Sequence, residues 1–326
     1  MLDRRTFLGL PLLALAAPRL AHAAPASAAS RVTDVYKGAR GTTLTMELAN
    51  APFPTGGSAY HDSTVTMFVP RYFRADGPVQ TLVHFHGYKN TVEGALKKHQ
   101  LREQLYESRQ NAVLIVPQLA LLAADTACGK LEQSGGFARM VRDALDTAAS
   151  SAKARVATGD SALPSHPRIG AVCISAHSAG YHAAAAVLKH GGIDINEAWL
   201  FDALYAETEV FRDWVLARRS KSRRRRHKIV SYYTAGRTEA NTRALFVALE
   251  KGKVSNAFET VEGTLSRQEI TAVQAVAIKT GTAHGAVASH YSSLRDCLFA
   301  SSLQRAVHAN WFESKKGARQ LDERPE

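Results

Sequence analysis

Long apolar runs are missing from this chain of 326 residues. The stretch that follows Asp3-Arg4-Arg5-Thr6-Phe7-Leu8 is broken by Pro11, Pro18 and Arg19, and it falls short of the ~20 apolar residues that span a bilayer. No transmembrane segment is therefore expected in the mature protein. Cysteine is scarce too. With only Cys128, Cys173 and Cys297, a disulfide-stapled scaffold and a paired C-x-x-C metal ribbon are both excluded. Cys173 lies inside an apolar run and reads as a core residue, which leaves Cys128 and Cys297 as candidates for one bridge. There is no P-loop, no G-x-G-x-x-G after a strand and no repeat of fixed period, so nucleotide and dinucleotide cofactors are not expected. What is present, 45% hydrophobic and 21% charged residues, suits a globular chain with a sizeable core.

The net charge of +12 is concentrated in two places. The first 23 residues carry +2, and the stretch from Arg218 to Lys228 carries +8, with Arg223, Arg224, Arg225 and Arg226 in succession. Only +2 remains for everything else, so a broad basic face is not indicated. The arginine run reads either as a solvated loop or as a contact for an anionic surface, such as phospholipid headgroups or an acidic envelope polymer. A nucleic-acid partner is not expected, because no aromatic residues interleave the run.

Arg4-Arg5 before an apolar stretch that ends Ala21-His22-Ala23 has the form of a bacterial twin-arginine signal with cleavage after Ala23. The mature protein is then expected in the periplasm or outside the cell. Residues 24–40 read as a flexible mature terminus, 41–312 as one folded domain and 313–326 as a charged tail.

Past residue 40 two segments with period-2 alternation, 43–48 and 64–69, suggest an antiparallel start to a sheet. Short apolar runs follow at 81–85, 112–116, 169–174, 198–201, 229–233 and 273–278, as strands buried on both faces require. Helical stretches separate them, at 92–107, 136–152, 178–190, 207–218 and 240–250, with a last one at 291–307. This alternation points to an α/β fold with a mostly parallel, doubly wound sheet. Residues 251–268 read as a surface excursion.

One of these runs carries the chemistry. The apolar strand Ile169-Gly170-Ala171-Val172-Cys173-Ile174 runs through Ser175-Ala176-His177 to Ser178, with Ala179-Gly180 and a helix behind it. A serine on a sharp strand-to-helix corner, with small residues two places to either side, forms a nucleophile elbow; here Ala176 replaces the first glycine of G-x-S-x-G. Upstream, His84-Phe85-His86-Gly87-Tyr88 ends another apolar strand. These two motifs resemble those of the α/β-hydrolase superfamily, and the similarity covers most of the chain from about 43 to 307.

The resemblance implies a serine hydrolase with antiparallel leading strands and no organic cofactor or metal. Ser178 is the implied nucleophile, and backbone N–H groups of Ala179 and of Gly87 or Tyr88 are the implied oxyanion donors. In this superfamily the acid precedes the base. Asp202, at the end of Trp199-Leu200-Phe201, is the preferred acid, and Glu239 in Gly236-Arg237-Thr238-Glu239 is the alternative. His290, near the start of the last helix, is the preferred base, and His284 the alternative. His84 and His86 also offer a rival H-x-H metal reading, although Tyr88, Lys89 and Asn90 follow where further ligands would be needed. Only 26 residues separate Asp202 from Ile229, so a large cap domain is not expected, and the pocket walls are assigned to residues 119–135 and 251–268. A small-molecule or cell-envelope acyl ester is the expected substrate. Amide cleavage on the same residues, or a binding protein that keeps the fold without the chemistry, are the alternatives.

Overall fold

The computed structural model describes residues 29–306; the segment read as a twin-arginine signal and the 313–326 tail lie outside them. The described residues form one ten-stranded sheet: β1 (Arg31–Gly38), β2 (Gly41–Glu47), β3 (Thr64–Pro70), β4 (Val79–Phe85), β5 (Ala112–Pro117), β6 (Ile169–His177), β7 (Glu197–Phe201), β8 (Lys228–Tyr233), β9 (Asn256–Glu259) and β10 (Ala275–Lys279). Their order across the sheet is β1-β2-β3-β5-β4-β6-β7-β8-β10-β9. β1, β2 and β3 pair antiparallel with one another, and β3 pairs antiparallel with β5. Every other neighbouring pair is parallel. The sheet is therefore doubly wound and mostly parallel, with antiparallel leading strands, as the sequence pattern implied.

Nine α-helices cover the sheet among the described residues: α1 (Val92–Lys98), α2 (Leu101–Ser108), α3 (Gly136–Ser150), α4 (Ala152–Thr158), α5 (Tyr181–His190), α6 (Thr208–Ala217), α7 (Arg237–Lys251), α8 (Arg267–Ala272) and α9 (Ser293–Phe299). One core layer joins the sheet to α3, α5, α6 and α7 through Phe137, Met140, Ala184, Phe211 and Leu245. The opposite layer joins it to α1, α2, α8 and α9 through Leu96, Leu105, Ile270 and Leu298. β4, β5, β7 and β8 are buried along their whole length because helices cover both their faces, which is why their sequences run apolar instead of alternating.

Several expectations are corrected. Residues 31–38, read as part of a flexible terminus, are β1, zipped to β2 across a tight hairpin with Gly38 opposite Gly41. The single helix expected at 92–107 is two, parted where Gln100 turns left-handed at φ 46°. The excursion at 251–268 contributes β9, an edge strand parallel to β10, and a loop pinned by the Glu259 carboxylate on the N–H groups of Gly263 and Leu265. Cys128 and Cys297 cannot bridge: both are free thiols, and they belong to core layers on opposite faces of the sheet. No described helix is long and apolar enough to cross a membrane.

The arginine run also departs from a solvated loop. Arg226 is buried, and its guanidinium donates to the carbonyls of Thr271 and Ala272 at the end of α8. Arg223 reaches the carbonyls of Ala300 and Ser301 just past α9, and the buried Lys228 ammonium bonds Ile270 and Ala300. Helix C-termini present carbonyls with no intrahelical partner and a negative dipole end, so these cations cap two helices. Arg226 is thereby unavailable to an anionic surface, while Arg223, Arg224 and Arg225 remain exposed. Burial draws the Lys228 ammonium down to about 8, against the pull of the buried Glu197 carboxylate on the adjacent strand.

Candidate active site

The corner after β6 is strained. Ser178 sits at φ 53°, a left-handed conformation that non-glycine residues rarely adopt and that functional sites often store. A 3-10 turn, Ser178–Gly180, then leads into α5. Packing explains the small residues around it. A Cβ on Gly180 would lie 2.4 Å from the Phe85 carbonyl oxygen, and one on Gly87 would lie 2.8 Å from the Ser178 Cβ. The end of β4 and the start of α5 can approach this closely only because both positions are glycine.

The Ser178 hydroxyl lies 2.9 Å from His284 Nε2. On the far side of the ring, Nδ1 lies 2.7 Å from an Asp202 carboxylate oxygen. Asp202 is buried, stands at the carboxyl end of β7, and accepts further hydrogen bonds from the Thr234 N–H (3.0 Å), the Thr234 hydroxyl (2.8 Å) and the Thr238 hydroxyl. Burial alone would raise this carboxyl group. The bonds from His284, Thr238 and Thr234 outweigh it and hold the group down at about 2. Hydroxyl, imidazole and carboxylate thus form one hydrogen-bonded chain, with the His284 side chain 43% exposed at its open end.

The structure brings His284, not His290, to the serine. β10 ends at Lys279, and the loop turns back over the sheet edge within five residues, so the imidazole at 284 meets the elbow. By position 290 the chain has moved on to the turn that enters α9, where the His290 ring packs, tilted, against Tyr291 at 3.8 Å between centroids. Glu239 does not join the site either. It opens α7 on the solvent side, where its carboxylate holds Arg243 (2.8 Å) and Lys279 (3.3 Å). Its neighbour Thr238, one residue earlier and so rotated about 100° around the helix, is the one that reaches Asp202.

His84 and His86 do different jobs. His86 has both ring nitrogens engaged: Nδ1 with the Gly87 carbonyl, and Nε2 with the Leu119 N–H and the Gln118 amide. This fixes the segment that carries Gly87 and Tyr88. Lys89 next in line donates its N–H to Ala123 and ties the 119–135 loop down beside it.

Sequence reasoning missed a column of imidazoles beneath the site. His284 packs on His177, His177 on His99, and His99 on His84, with centroid separations of 4.8, 4.5 and 5.6 Å. His177 lies in the x position of the elbow motif, and its Nε2–H donates to the His284 carbonyl at 2.8 Å, tethering the loop. Burial, aided by neighbouring positive charge, pushes His177 down to about 4 and His84 and His99 well below the ordinary imidazole range. The consequence for stability has a definite sign. An unfolded chain takes up protons on these rings near pH 6.5, whereas the folded protein refuses them, so stability falls as pH drops from about 6.5 toward 4. His177 alone accounts for up to about 3 kcal/mol of that loss. Urea unfolding measured between pH 7 and 4.5 should show the midpoint falling, with a shallower slope in His177→Gln. Parallel curves for the two proteins would contradict this.

No protein-family model matches the chain, and no curated protein matches it in sequence. Among solved structures it is similar to a ferulic acid esterase (12% identity, TM-score 0.44, covering 83% of this chain and 97% of that one). It is also similar to a feruloyl esterase module from Clostridium thermocellum complexed with sinapinate (11%, TM-score 0.45, covering 86% and 92%). A third is the fluorophosphonate-binding serine hydrolase FphF of Staphylococcus aureus (9%, TM-score 0.43, covering 79% and 97%). At these identities the chemistry of the site rests on its own geometry.

Proposed function

We propose that the protein is a serine hydrolase that cleaves a carboxylic ester. The observation that carries this reading is the unbroken hydrogen-bonded chain from the Ser178 hydroxyl through His284 to the buried Asp202 carboxylate. Asp202 accepts the Nδ1 proton and so leaves the Nε2 lone pair facing the hydroxyl, the tautomer a general base needs. As Ser178 Oγ bonds to the substrate carbonyl carbon, its proton passes to His284 Nε2 and the carbonyl electron pair moves to oxygen. The resulting oxyanion is assigned to the N–H groups of Ala179 and of Gly87 or Tyr88. Collapse expels the alkoxide, which takes the proton from His284 and leaves an acyl-Ser178. Water, deprotonated by His284, attacks that ester; Ser178 recovers the proton, and the acid product leaves.

The surroundings favour a small or extended substrate with open access. Between β7 and β8 stand only α6 and a 3-10 turn at Arg223–Arg225, so no large cap closes over the serine. Tyr205 meets the His284 ring edge-on, Tyr181 packs against Tyr205, and Tyr88 is half-exposed beside the elbow, which gives the cleft an aromatic rim. An ester is preferred to an amide because an alkoxide leaves with less help from a proton than an amine does. The twin-arginine leader would deliver this activity to the periplasm or beyond, where an envelope-derived acyl ester is a substrate class in reach. Purified mature protein should hydrolyse p-nitrophenyl acetate with a burst of p-nitrophenol equal to the enzyme concentration, followed by slower turnover, and should leave the matching anilide almost untouched. Absence of any ester turnover would overturn the reading.

A further inference from the structure

A second cluster of reactive side chains lies beyond the triad, between the 119–135 loop and the start of α5. Cys128 is buried and precedes a 3-10 turn, Gly129–Glu132, which brings the Glu132 carboxylate back over it. The Glu132 oxygen lies 3.5 Å from Cys128 Sγ and 3.6 Å from His182 Nε2. Sulfur, oxygen and nitrogen all lie within 4.8 Å of one another. His182 is set by a fourth group: its Nδ1 lies 2.7 Å from the Glu207 carboxylate just before α6.

We infer that Cys128, Glu132 and His182 form a zinc site, with Glu207 as the residue that orients the histidine. Four observations support this. Tetrahedral zinc, with bonds of about 2.0–2.3 Å, holds its donors about 3.3–3.8 Å apart, and two of the three donor separations already fall in that range. A carboxylate on Nδ1 leaves the Nε2 lone pair pointing at the other two donors, and this is the usual outer support of a metal-bound histidine. Thiolate and carboxylate together would neutralise a divalent cation, so the metal and its three ligands form a neutral set in a half-buried place. A thiolate, an imidazole and a carboxylate together match zinc better than they match hard cations such as calcium or magnesium.

Filling the site costs one proton. The thiol releases it to solvent as the sulfur–metal bond forms, while His182 keeps its Nδ1 proton on Glu207. Three protein donors leave a fourth position for water on the exposed Glu132 side. The ion would join the 119–135 loop to α5 at a point four residues beyond Ser178, and so stiffen one wall of the cleft without entering the acyl-transfer chemistry.

Mature protein treated with EDTA and then dialysed should take up one equivalent of zinc in competition with a chromophoric chelator. Cys128→Ser and His182→Gln should each weaken that affinity by about 100-fold or more, and Glu207→Gln by about tenfold. Cobalt in place of zinc should give a sulfur-to-metal charge-transfer band in the wild type that Cys128→Ser lacks. Zinc should also raise the wild-type melting temperature, a readout that needs no variant to fold. Uptake well below one equivalent with no thermal shift, or the same affinity in the variants as in the wild type, would overturn the inference. Ester hydrolysis followed in parallel keeps the two proposals separate, since a failed metal titration with intact esterase activity removes only this one.

Discussion

Ser178→Ala and His284→Ala should each lower kcat/KM on a p-nitrophenyl ester by about 10⁴-fold or more, while His290→Ala should change it by less than about threefold. The two large effects are not additive. Once the hydroxyl is gone the base has nothing to deprotonate, so the double variant should resemble either single one. Residual turnover would come from oxyanion donors that still polarise the bound carbonyl. The contrast between the two histidines is the sharper half of the prediction. His284 touches the hydroxyl at 2.9 Å, whereas the His290 ring, six residues further on, packs against Tyr291. A large loss in His290→Ala with normal folding would mean that the loop after β10 presents a different residue to the serine in solution.

Asp202→Asn should lower kcat by about 10³- to 10⁴-fold and leave KM within about threefold. The fold has no reason to fail, because the amide is isosteric and the Thr234 N–H and the Thr238 hydroxyl can still bond its oxygen. The tautomer changes instead. An amide N–H aimed at Nδ1 favours a proton on Nε2, and an imidazole with Nε2–H facing Ser178 cannot accept the hydroxyl proton. Glu239→Gln is the matched control. It breaks solvent-facing contacts to Arg243 and Lys279, which are worth little on an exposed surface, and kcat should not change. If Glu239→Gln were the damaging substitution and Asp202→Asn the silent one, the acid would have to be reassigned.

The elbow was legible in the sequence because its signal is local: an apolar strand, a serine, and small residues where two backbones converge, all within about a dozen positions. The parallel sheet was legible for a similar reason, since strands covered on both faces advertise themselves as short apolar runs. The choice between His284 and His290 was not. Both follow the last strand, and which one meets the serine depends on how tightly a five-residue loop folds back over the sheet edge, a tertiary fact with no counterpart in composition. The acid was ambiguous for a geometric reason. Thr238 and Glu239 are adjacent in sequence but face different sides of α7, so a motif that names the position leaves the facing side chain undetermined.

The arginine run taught the opposite lesson. Charge runs usually mark solvated surface, yet Arg226 and Lys228 are buried, and Arg223 reaches in from the surface, because the ends of α8 and α9 offer carbonyls that need donors. That demand is created by helices more than 40 residues away in the chain. The imidazole column was hidden for the same cause. His84, His99 and His177 are scattered in sequence and meet only when β4, β6 and the end of α1 are assembled.

The most direct test of the central claim, that a base-activated Ser178 performs acyl transfer, is the mass of the protein after brief exposure to a fluorophosphonate at neutral pH. The account predicts a single stoichiometric adduct that maps to Ser178, absent in Ser178→Ala and slowed by orders of magnitude in His284→Ala. Well-folded protein that stays unmodified, or an adduct on any other residue, would contradict it.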